Sequence, residues 1–341
     1  MLVTYLRSSS YNNYDFCELQ YFITYVLGHR SDSGKKAELG TIVHKVMEIL
    51  AGLKKSHQDT PTRNKYISIT DDAVGTVKVK KEHFFTKEFV EEMVELSFQS
   101  YTKDSKHHWM PADRKAATTL SWQALDHNDG QFDPRFRDVV DPEPHFDIPI
   151  DEDWAKYDYT LPDGQIVKGQ LAIKGTIDLV TKVSDTVIEV IDWKTGQRKD
   201  WNTGEEKTYA KLQTDAQLLL YNYAISKLYP QYEQAIMTIF FVKDGGPFSM
   251  CFDNTDQEKF LGMLKGRYQE IQANNKPKPL SPTRASWKCN KLCHFYKNDW
   301  EGTGKTMCNH VEDTLKAKGM NETVKELTHE DHSIGFYEAP G

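Results

Sequence analysis

A predicted β-hairpin at residues 174–198, KGTIDLVTKVSDTVIEVIDWKTGQR, constrains the fold of this chain more than any other stretch. An apolar run follows Asp178, a second run rich in β-branched residues leads to Asp192, and Ser184-Asp185 supplies the turn between them. Side chains alternate between the two faces of a strand, so Asp192 and Lys194 share one face. Folding the hairpin about its turn therefore sets Asp178 opposite Asp192, within one residue of register.

The acidic end of this hairpin gathers two carboxylates and one ammonium group. Burying such a cluster costs free energy unless another group offsets its charge. A divalent metal ion between the carboxylates, with the lysine beside a bound water, provides that compensation. Taken one at a time, the residues have simpler interpretations: Asp178 as a turn or capping carboxylate, and Asp192 with Lys194 as an ion pair.

The spacing Asp178…Asp192-x-Lys194 resembles the site of the PD-(D/E)XK nuclease superfamily, and GTIDLV…VIDWKTG followed by QLLLYNYA resembles its RecB-type branch. The resemblance implies an α/β fold with a restriction-endonuclease-like mixed central sheet flanked by helices. It also implies that Asp178, Asp192 and the Trp193 carbonyl hold one or two Mg²⁺ or Mn²⁺ ions. Lys194 is then expected to orient the attacking water or to help remove its proton.

His44 lies in a second predicted helix, residues 36–53, whose apolar positions follow helical spacing. Gly40, one turn earlier, leaves room for another part of the chain to approach closely. A single histidine in a helix is usually a hydrogen-bonded core or boundary residue. RecB-type nucleases carry a GT-x-x-H helix of this kind, however, and the resemblance implies that His44 is a further ligand of the catalytic metal. Imidazole suits manganese or iron better than magnesium in that role.

A third polar pattern follows the hairpin, in a helix predicted over residues 208–229 and stopped by Pro230. Gln213, Gln217 and Tyr221 are spaced by four, so they are predicted to share one helical face. Gln217 and Tyr221 match the Q-x-x-x-Y pair of RecB-type nucleases, which implies a role in steadying Lys194 and the DNA backbone. The simpler interpretation is that they form hydrogen bonds on a half-buried face.

Bulk charge and hydropathy restrict the class of protein. The net charge of −7 excludes a surface covered all round with phosphate-binding residues, although a local basic groove remains compatible with it. No apolar run reaches the roughly 18 residues of a membrane span, and we expect no secretory signal and no membrane partner. The expected location is cytoplasmic, or the host cytoplasm if the protein is virally encoded. Cysteines in that compartment are more often metal ligands or free thiols than disulfides.

Four of the five cysteines form a distinctive layout. Cys17 lies in the first predicted helix, residues 8–28, while Cys289, Cys293 and Cys308 follow the last predicted core helix. This layout is similar to that of CRISPR-associated and AddB-like exonucleases, and it implies a structural [4Fe–4S] cluster that pins the chain ends together. The spacing departs from the commoner family pattern, because three and fourteen residues separate the last three cysteines. Zinc, with His294 or His310 replacing a cysteine, and reduced thiols therefore stay open.

The resemblance covers residues 8–52 and 141–310, and this coverage suggests a division of the chain. We predict N-terminal helices at 1–53, a largely helical insertion at 54–140, a nuclease core at 141–275, a cysteine-bound metal lobe at 276–310 and a flexible or docking tail at 311–341. The insertion is expected to form a lid or wall of the substrate channel, and its Trp109 either stacks on a base or packs inward. Glu143 matches a family glutamate loosely, as a metal residue or as a turn residue.

The function predicted from these features is a metal-dependent DNA nuclease. We expect an exonuclease on single-stranded or frayed DNA in recombination, repair or replication, with a helicase or recombination protein as a candidate partner. The alternative is a DNA-binding or scaffolding module of a recombination or CRISPR spacer-acquisition complex. Two carboxylates beside a lysine favour chemistry, because an acidic cluster would weaken simple binding to phosphate. A metalloprotein organised only by its cysteines would leave the hairpin unexplained.

Overall fold

The computed structural model describes residues 1–161, 164–200, 203–244, 246–283, 286–297, 299–330 and 332 of the 341-residue chain. The strands are β1 (Tyr5–Leu6), β2 (Tyr66–Asp71), β3 (Gly75–Lys80), β4 (Asp138–Pro142), β5 (His145–Pro149), β6 (Lys156–Thr160), β7 (Ile166–Gln170), β8 (Ala172–Thr176), β9 (Leu179–Lys182), β10 (Val187–Lys194), β11 (Gln234–Phe241) and β12 (Gly246–Cys251). The helices are α1 (Ser8–Phe16), α2 (Glu18–Tyr21), α3 (Lys35–Asp59), α4 (Lys81–Phe84), α5 (Lys87–Thr102), α6 (Pro111–Leu125), α7 (Tyr209–Leu212), α8 (Ala216–Leu228), α9 (Asn254–Ala273), α10 (Trp287–Lys291) and α11 (Met307–Leu327).

The predicted hairpin lies in the middle of a five-stranded sheet of order β12-β11-β10-β9-β4. Strand β10 pairs in parallel with β11 and antiparallel with β9, so the sheet is mixed. The register places Leu179 opposite Ile191, which sets Asp178 beside Asp192, as the hairpin pattern predicts. Both faces of β10 are covered, which explains its nearly continuous apolar sequence.

Two hydrophobic clusters cover the two faces of this sheet. Ile188 and Val190 pack on one side into a cluster that includes residues of α8 and α9. Ile191 and Trp193 pack on the other side with residues of α3, α5 and α6. The fold is therefore a mixed α/β arrangement with helices on both faces of the sheet, consistent with a restriction-endonuclease-like fold.

The strand-like segments between Phe146 and Trp193 predict one continuous sheet, and this prediction is wrong. Strands β1, β8 and β5 form a separate three-stranded sheet, and β6 pairs with β7 alone. The sequence of residues 165–174 predicts a single strand, but the observed strand is divided at Leu171, which is fully buried. The Leu171 N–H donates to the Ala155 carbonyl, and the Leu171 carbonyl accepts from the Ile150 N–H. These contacts separate β7 from β8.

The N-terminal helical segment also differs from the single helix predicted over 8–28. The chain leaves helical geometry at Cys17, where φ is −167° and ψ is 115°, and continues through α2 into a π-helix at Phe22–Val26. Cys17 thus lies at a break rather than inside a helix. The Leu19 N–H donates to the Lys278 carbonyl, a contact with the far end of the chain that local sequence does not reveal. Gly28, with φ of 79°, follows the end of this segment as predicted.

Residues 54–137 hold the β2–β3 ribbon and helices α4, α5 and α6, so the segment predicted as a largely helical insertion also contains a two-stranded ribbon. Trp109 follows the inward alternative. Its ring is half-buried and meets the Phe98 ring edge-on at 5.5 Å, with Lys35 Nζ 5.2 Å from the ring centre. Strand β4 begins at Asp138, inside the range predicted as insertion, and pairs with β9 as an edge of the central sheet.

The C-terminal region is more ordered than its polar sequence predicts. The sequence predicts a short helix over residues 311–318, whereas α11 extends over Met307–Leu327 and kinks at Gly319, where φ is 78°. Val311 and Val324 are buried against the rest of the molecule, which accounts for the longer helix. The sequence also predicts turns at Asp163-Gly164 and Gly245-Gly246, but Asp163 and Gly245 lie outside the described residues, as do positions 331 and 333–341 of the predicted tail. Within the described part of the chain, no helix is both long and apolar enough to cross a membrane.

Candidate active site

The central hairpin brings both predicted aspartates together at one end of strands β9 and β10. Asp178 directly precedes β9, and its Oδ2 accepts a hydrogen bond of 2.8 Å from the Trp193 N–H on β10. Asp192 is 1% exposed, and Lys194 Nζ lies 2.6 Å from its Oδ2. Alternation along β10 places Asp192 and Lys194 on the same side, because side chains two positions apart in a strand point to the same face.

Helix α3 brings His44 to the same place. His44 Nδ1 lies 3.3 Å from Asp178 Oδ1. A Cβ added at Gly40 would lie 2.7 Å from Thr195 Oγ1, so a glycine is needed for this close approach of α3 to the end of the hairpin. The GT-x-x-H helix and the acidic hairpin are therefore in direct contact.

Helix α8 supplies the third set of contacts. Gln217 Nε2 donates to Asp192 Oδ1 at 3.1 Å and to the Tyr221 hydroxyl at 2.9 Å. The Tyr221 hydroxyl donates to the Thr176 carbonyl at 2.8 Å, which ties α8 to the end of β8. Gln217 thus contacts Asp192, whereas the resemblance implied that it steadies Lys194.

The helix predicted over 208–229 is interrupted between α7 and α8. Asp215 caps α8 by accepting a hydrogen bond from the Gln217 N–H, and Asp215 itself pairs with Lys207 at 2.6 Å. Gln213 consequently lies outside α8 and is exposed, so it does not share a helical face with Gln217. The spacing of four holds only for Gln217 and Tyr221.

The two aspartates have opposite pKa shifts because their partners differ. Burial raises the pKa of Asp192 to about 6, with the Asp178 charge adding to the shift and Lys194 opposing it. Burial also disfavours the Asp178 carboxylate, but His44, Lys194 and the Trp193 N–H outweigh it and lower the pKa of Asp178. Asp178 is thus the carboxylate that ionises first.

The neighbouring carboxylates favour the charged forms of both basic groups. Burial opposes the charge of His44 and of Lys194 alike, yet the neighbouring aspartates outweigh it and raise both pKa values. Lys194 is therefore an ammonium group at neutral pH, which can donate hydrogen bonds but cannot accept a proton.

The donor set at this end of the two strands suits a hard divalent cation. Asp192 Oδ2 is buried and accepts no hydrogen bond of standard geometry, although it forms an ion pair with Lys194 Nζ at 2.6 Å. Asp178 is in contact with the His44 imidazole, and Asp192 is near enough to interact with both electrostatically; carboxylates and imidazole are ligands that Mn²⁺ accepts, while Mg²⁺ prefers the carboxylates. Among the described residues, no three His, Cys, Asp or Glu side chains converge as ligands of one ion.

Sequence reasoning missed one acidic residue, Glu48, which lies on α3 four residues after His44. Burial, together with a hydrogen bond that protonated Glu48 donates to the neighbouring Glu143 carboxylate, raises the pKa of Glu48 to about 8, and Lys45 opposes this shift. Glu143 has φ of 52°, and its N–H donates to the Asp178 carbonyl at 3.3 Å. Glu143 therefore has the backbone geometry of a turn residue, and it contacts Asp178 through its backbone and Glu48 through its side chain. The i, i+4 spacing of His44 and Glu48 was the available signal.

The four cysteines of the predicted cluster are buried, whereas Cys251 is exposed, and none of the five forms a disulfide bond. Burial, with contributions from Cys308, Cys17 and Cys289, raises the pKa of the Cys293 thiol to about 12. The fold thus brings Cys17 close to the three C-terminal cysteines. His294 lies 3.9 Å from Asp32, and the His310 ring lies 4.8 Å from the Trp300 ring.

Comparison with known proteins identifies the family. A candidate exonuclease from Eubacterium rectale aligns with a TM-score of 0.43 and 11% identity, covering 87% of this chain and 91% of that one. The protein SSO0001 aligns with a TM-score of 0.25 and 14% identity, covering 76% of this chain and 92% of that one. No curated protein matches the sequence. The sequence pattern of the PD-(D/E)XK nuclease superfamily matches residues 8–297, so the chain belongs to that superfamily, whose members are nucleases.

Proposed function

We propose that this protein is a metal-dependent deoxyribonuclease of the RecB-like branch, an exonuclease that hydrolyses phosphodiester bonds in single-stranded or frayed DNA. The observation that carries the proposal is the contact set at the end of the hairpin, where Asp178 meets His44 and Asp192 meets Lys194. A DNA-binding scaffold would gain little from two buried carboxylates beside the phosphate backbone. Recombination, repair or replication is the proposed setting, with a helicase or recombination protein as partner.

Asp178, Asp192, His44 and the Trp193 carbonyl are the proposed ligands of Mg²⁺ or Mn²⁺. When bound, such an ion polarises the scissile phosphate and stabilises the leaving oxygen. Lys194 carries the charge needed to orient the attacking water and to offset negative charge that develops on the phosphate. Because the pKa of Lys194 is raised, we assign it orientation and charge stabilisation rather than removal of the proton from water.

Gln217 and Tyr221 are positioning residues in this proposal. Gln217 donates to one oxygen of Asp192, Oδ1, and so directs the other oxygen, Oδ2, toward the ligand position. Tyr221 holds Gln217 in turn and is itself tied to the Thr176 carbonyl. This chain of hydrogen bonds from β8 through α8 to β10 fixes the rotamer of Asp192, a proposed metal ligand whose orientation must be maintained.

We further propose that Cys17, Cys289, Cys293 and Cys308 hold a structural [4Fe–4S] cluster, with zinc as the alternative. Their burial and the electrostatic influence of the other three on Cys293 place the four side chains near one another, which the proposal requires. Purification without oxygen, followed by absorption spectroscopy and iron, sulfide and zinc analysis, tests this assignment. Four iron atoms per chain would support the cluster, and bound zinc would support the zinc alternative instead. The lack of both metals would reject the site.

The nuclease proposal is tested by cleavage of end-labelled single-stranded DNA with Mg²⁺ or Mn²⁺, comparing oxygen-free preparations of wild type and Lys194→Ala. Lys168→Ala is the matched control, because Lys168 also pairs with an aspartate, Asp158, but does so on the exposed β6–β7 ribbon. Cleavage by wild type and by the control, but not by Lys194→Ala, would support the site. Equal cleavage by all three would reject it, and DNA binding without cleavage by wild type would favour a scaffold.

A further inference from the structure

The segment that forms the β2–β3 ribbon is basic, in a protein that is acidic overall. The chain carries a net charge of −7, yet residues 60–81 hold five basic residues and two acidic ones. The basic residues are Arg63, Lys65, Lys78, Lys80 and Lys81, and the acidic ones are Asp71 and Asp72. A local excess of cations of this kind attracts a polyanion.

The strand register gathers two of these lysines and a tyrosine on one face of the ribbon. Lys80 lies opposite Tyr66 in the antiparallel β2–β3 ladder, and Lys78 is two positions nearer the turn. Because side chains two positions apart in a strand point to the same face, all three lie on one side. This side is exposed, whereas the alternate residues Ile67 and Val79 are buried. The ribbon thus buries an apolar face and presents a basic face to solvent.

The acidic residues of the ribbon lie at its turn, away from these lysines. Asp71 is the last residue of β2, and its Oδ1 accepts a hydrogen bond from the Ala73 N–H within the turn. Its Oδ2 lies 2.8 Å from Lys45 Nζ on α3. Within the described part of the chain, no carboxylate lies at ion-pair distance from Lys78 or Lys80. The exposed face of the ribbon is therefore positively charged.

The other side chains of the exposed face also suit a nucleic acid. Tyr66 is 46% exposed, and Lys78 Nζ lies 5.2 Å from the centre of its ring. A ring in this position can stack on a base while the lysines contact neighbouring phosphates. The remaining exposed residues, Ser68, Thr70 and Thr76, carry hydroxyl groups, which also bind phosphate oxygens. This face contains no aliphatic residue, so it differs from the apolar centre of a protein–protein interface.

The turn of the ribbon lies beside the proposed active site. Lys45, which follows His44 on α3, pairs with Asp71 at this turn. Three positions back along β2, the Ser68 N–H donates to Ser56 Oγ, and Ser56 lies twelve residues beyond His44 on α3. The ribbon therefore extends along α3, with its turn toward the site and its lysines further away.

We propose that the exposed face of the β2–β3 ribbon binds the phosphate backbone of the DNA that leads to the active site. The inference rests on the proposed nuclease function and extends it, because it assigns Tyr66, Lys78 and Lys80 to substrate binding. The two lysines lie three and five positions beyond Gly75, the first residue of β3, and so about 10 and 17 Å from the turn. Contacts at this distance involve phosphates several nucleotides from the scissile one, so a short strand does not reach them.

The bound phosphates belong either to a single strand or to the duplex from which that strand separates. Both carry the negative charge that the lysines recognise. A tyrosine ring stacks on the unpaired bases of a single strand, whereas the bases of a duplex are already stacked on each other. Substitution of Tyr66 therefore distinguishes the two sources.

The test is the binding of fluorescein-labelled oligonucleotides to the Asp192→Asn protein, so that cleavage does not interfere. Anisotropy gives Kd for single strands of about 4 and about 20 nucleotides, and for a duplex of the longer sequence. Lys78→Gln/Lys80→Gln is compared with Lys156→Gln/Lys168→Gln. The control removes two lysines from the β6–β7 ribbon, where each pairs with an aspartate.

Further variants separate the effect of charge from the effect of the ring. Lys78→Arg/Lys80→Arg keeps both charges, Tyr66→Ala removes the ring, and Tyr66→Phe keeps it. Thermal unfolding of every variant reports whether it is folded before its affinity is compared.

We expect Lys78→Gln/Lys80→Gln to raise the Kd of the long single strand about tenfold at low ionic strength, and the arginine variant to retain most of the affinity. The salt slope should fall by about 1.4, or about 0.7 for each lost phosphate contact. The short strand should bind the glutamine variant as tightly as it binds the control. A folded glutamine variant that binds the long strand and the duplex within about twofold of the control would overturn the proposal.

The remaining outcomes identify the bound DNA. If Tyr66→Ala also weakens binding of the long single strand and Tyr66→Phe does not, the ribbon holds the single strand. If the loss in the glutamine variant is confined to the duplex and Tyr66→Ala has no effect, the ribbon holds the duplex. An equal loss for short and long strands would contradict contacts remote from the scissile phosphate and would overturn the assignment.

This result is separate from the fate of the nuclease proposal. A wild-type protein that binds DNA through Lys78 and Lys80 without cleaving it would contradict the proposed hydrolysis and leave the ribbon assignment in place. A protein that cleaves DNA with an unchanged Kd and KM in Lys78→Gln/Lys80→Gln would do the reverse. Cleavage by this variant is therefore measured with Asp192 intact, where we expect a higher KM for the long strand.

Discussion

The hairpin site and the cysteine cluster gather their residues in different ways. Asp178 and Asp192 lie on adjoining strands joined by a short turn, and the Trp193 N–H contacts Asp178 across the pair. Cys17 reaches Cys289, Cys293 and Cys308 only because the chain ends pack together, as the hydrogen bond from Leu19 to Lys278 illustrates. The two aspartates of the hairpin are brought together by local strand pairing, whereas the cysteines are brought together by tertiary packing. We therefore expect activity to depend on the hairpin site and stability to depend on the cysteines.

Asp192→Asn should separate activity from stability most clearly. We expect cleavage to fall by at least about a thousandfold, which corresponds to about 4 kcal/mol in the barrier, because a charged ligand is lost. Stability should not fall, because burial raises the pKa of Asp192 and the charged form is disfavoured in the folded protein. Single-turnover cleavage and thermal unfolding measure the two effects. A strongly destabilised variant would show that Asp192 has a structural role.

Cys293→Ser should show the opposite pattern. The substitution puts a hydroxyl group into a buried position and removes a proposed ligand of the cysteine site, so we expect unfolding free energy to fall by about 3 kcal/mol. Activity per folded molecule should stay within about threefold at a temperature well below the midpoint of unfolding. Cys251→Ser is the matched control, since Cys251 is exposed on β12. Loss of activity without loss of stability would break the contrast between the two regions.

Gln217→Ala tests whether the hairpin needs support from α8. Removing the hydrogen bond to Asp192 should lower kcat by about 10- to 100-fold, because hydrogen bonds to charged groups contribute about 1.5–3 kcal/mol. The metal concentration that gives half-maximal activity should rise in parallel, which a purely structural role would not produce. Gln213→Ala provides the control, because Gln213 is exposed and outside α8. If both variants behave alike, the assigned role of Gln217 is incorrect.

Glu48→Gln should have the smallest effect, on the pH dependence of stability. The pKa of Glu48 is raised from 4.5 to about 8, so the folded state binds a proton that the unfolded state has released between these values. Stability should therefore fall as pH rises through this window, by about 2 kcal/mol in wild type and by less in Glu48→Gln. Denaturant unfolding at pH 5 and pH 8 measures the difference. Identical pH profiles would show that Glu48 is not buried against Glu143.

Much of the site could be predicted from the sequence because many of its residues belong to motifs within a short segment of the chain. The hairpin register follows from period-two alternation and one turn, and the pairing of Leu179 with Ile191 agrees with it. The family also follows from these motifs. Glu48 was missed because its partner Glu143 is distant in sequence, and the electrostatic effect of one residue on the other exists only after α3 packs beside the loop before β5.

The sequence alone determined the mixed α/β class, the hairpin with its two aspartates, and the helices that carry His44 and Gln217, since each depends on periodicity within one segment. Tertiary structure decided the division of the predicted sheet into separate sheets, the break at Cys17, the interruption before α8 and the length of α11. These features depend on contacts such as Leu19 with Lys278 and Leu171 with Ala155, between residues that are separated along the chain. A buried backbone group must form a hydrogen bond with a partner that the fold brings within reach. Tertiary packing therefore overrides the local secondary-structure propensity where it supplies a more favourable partner.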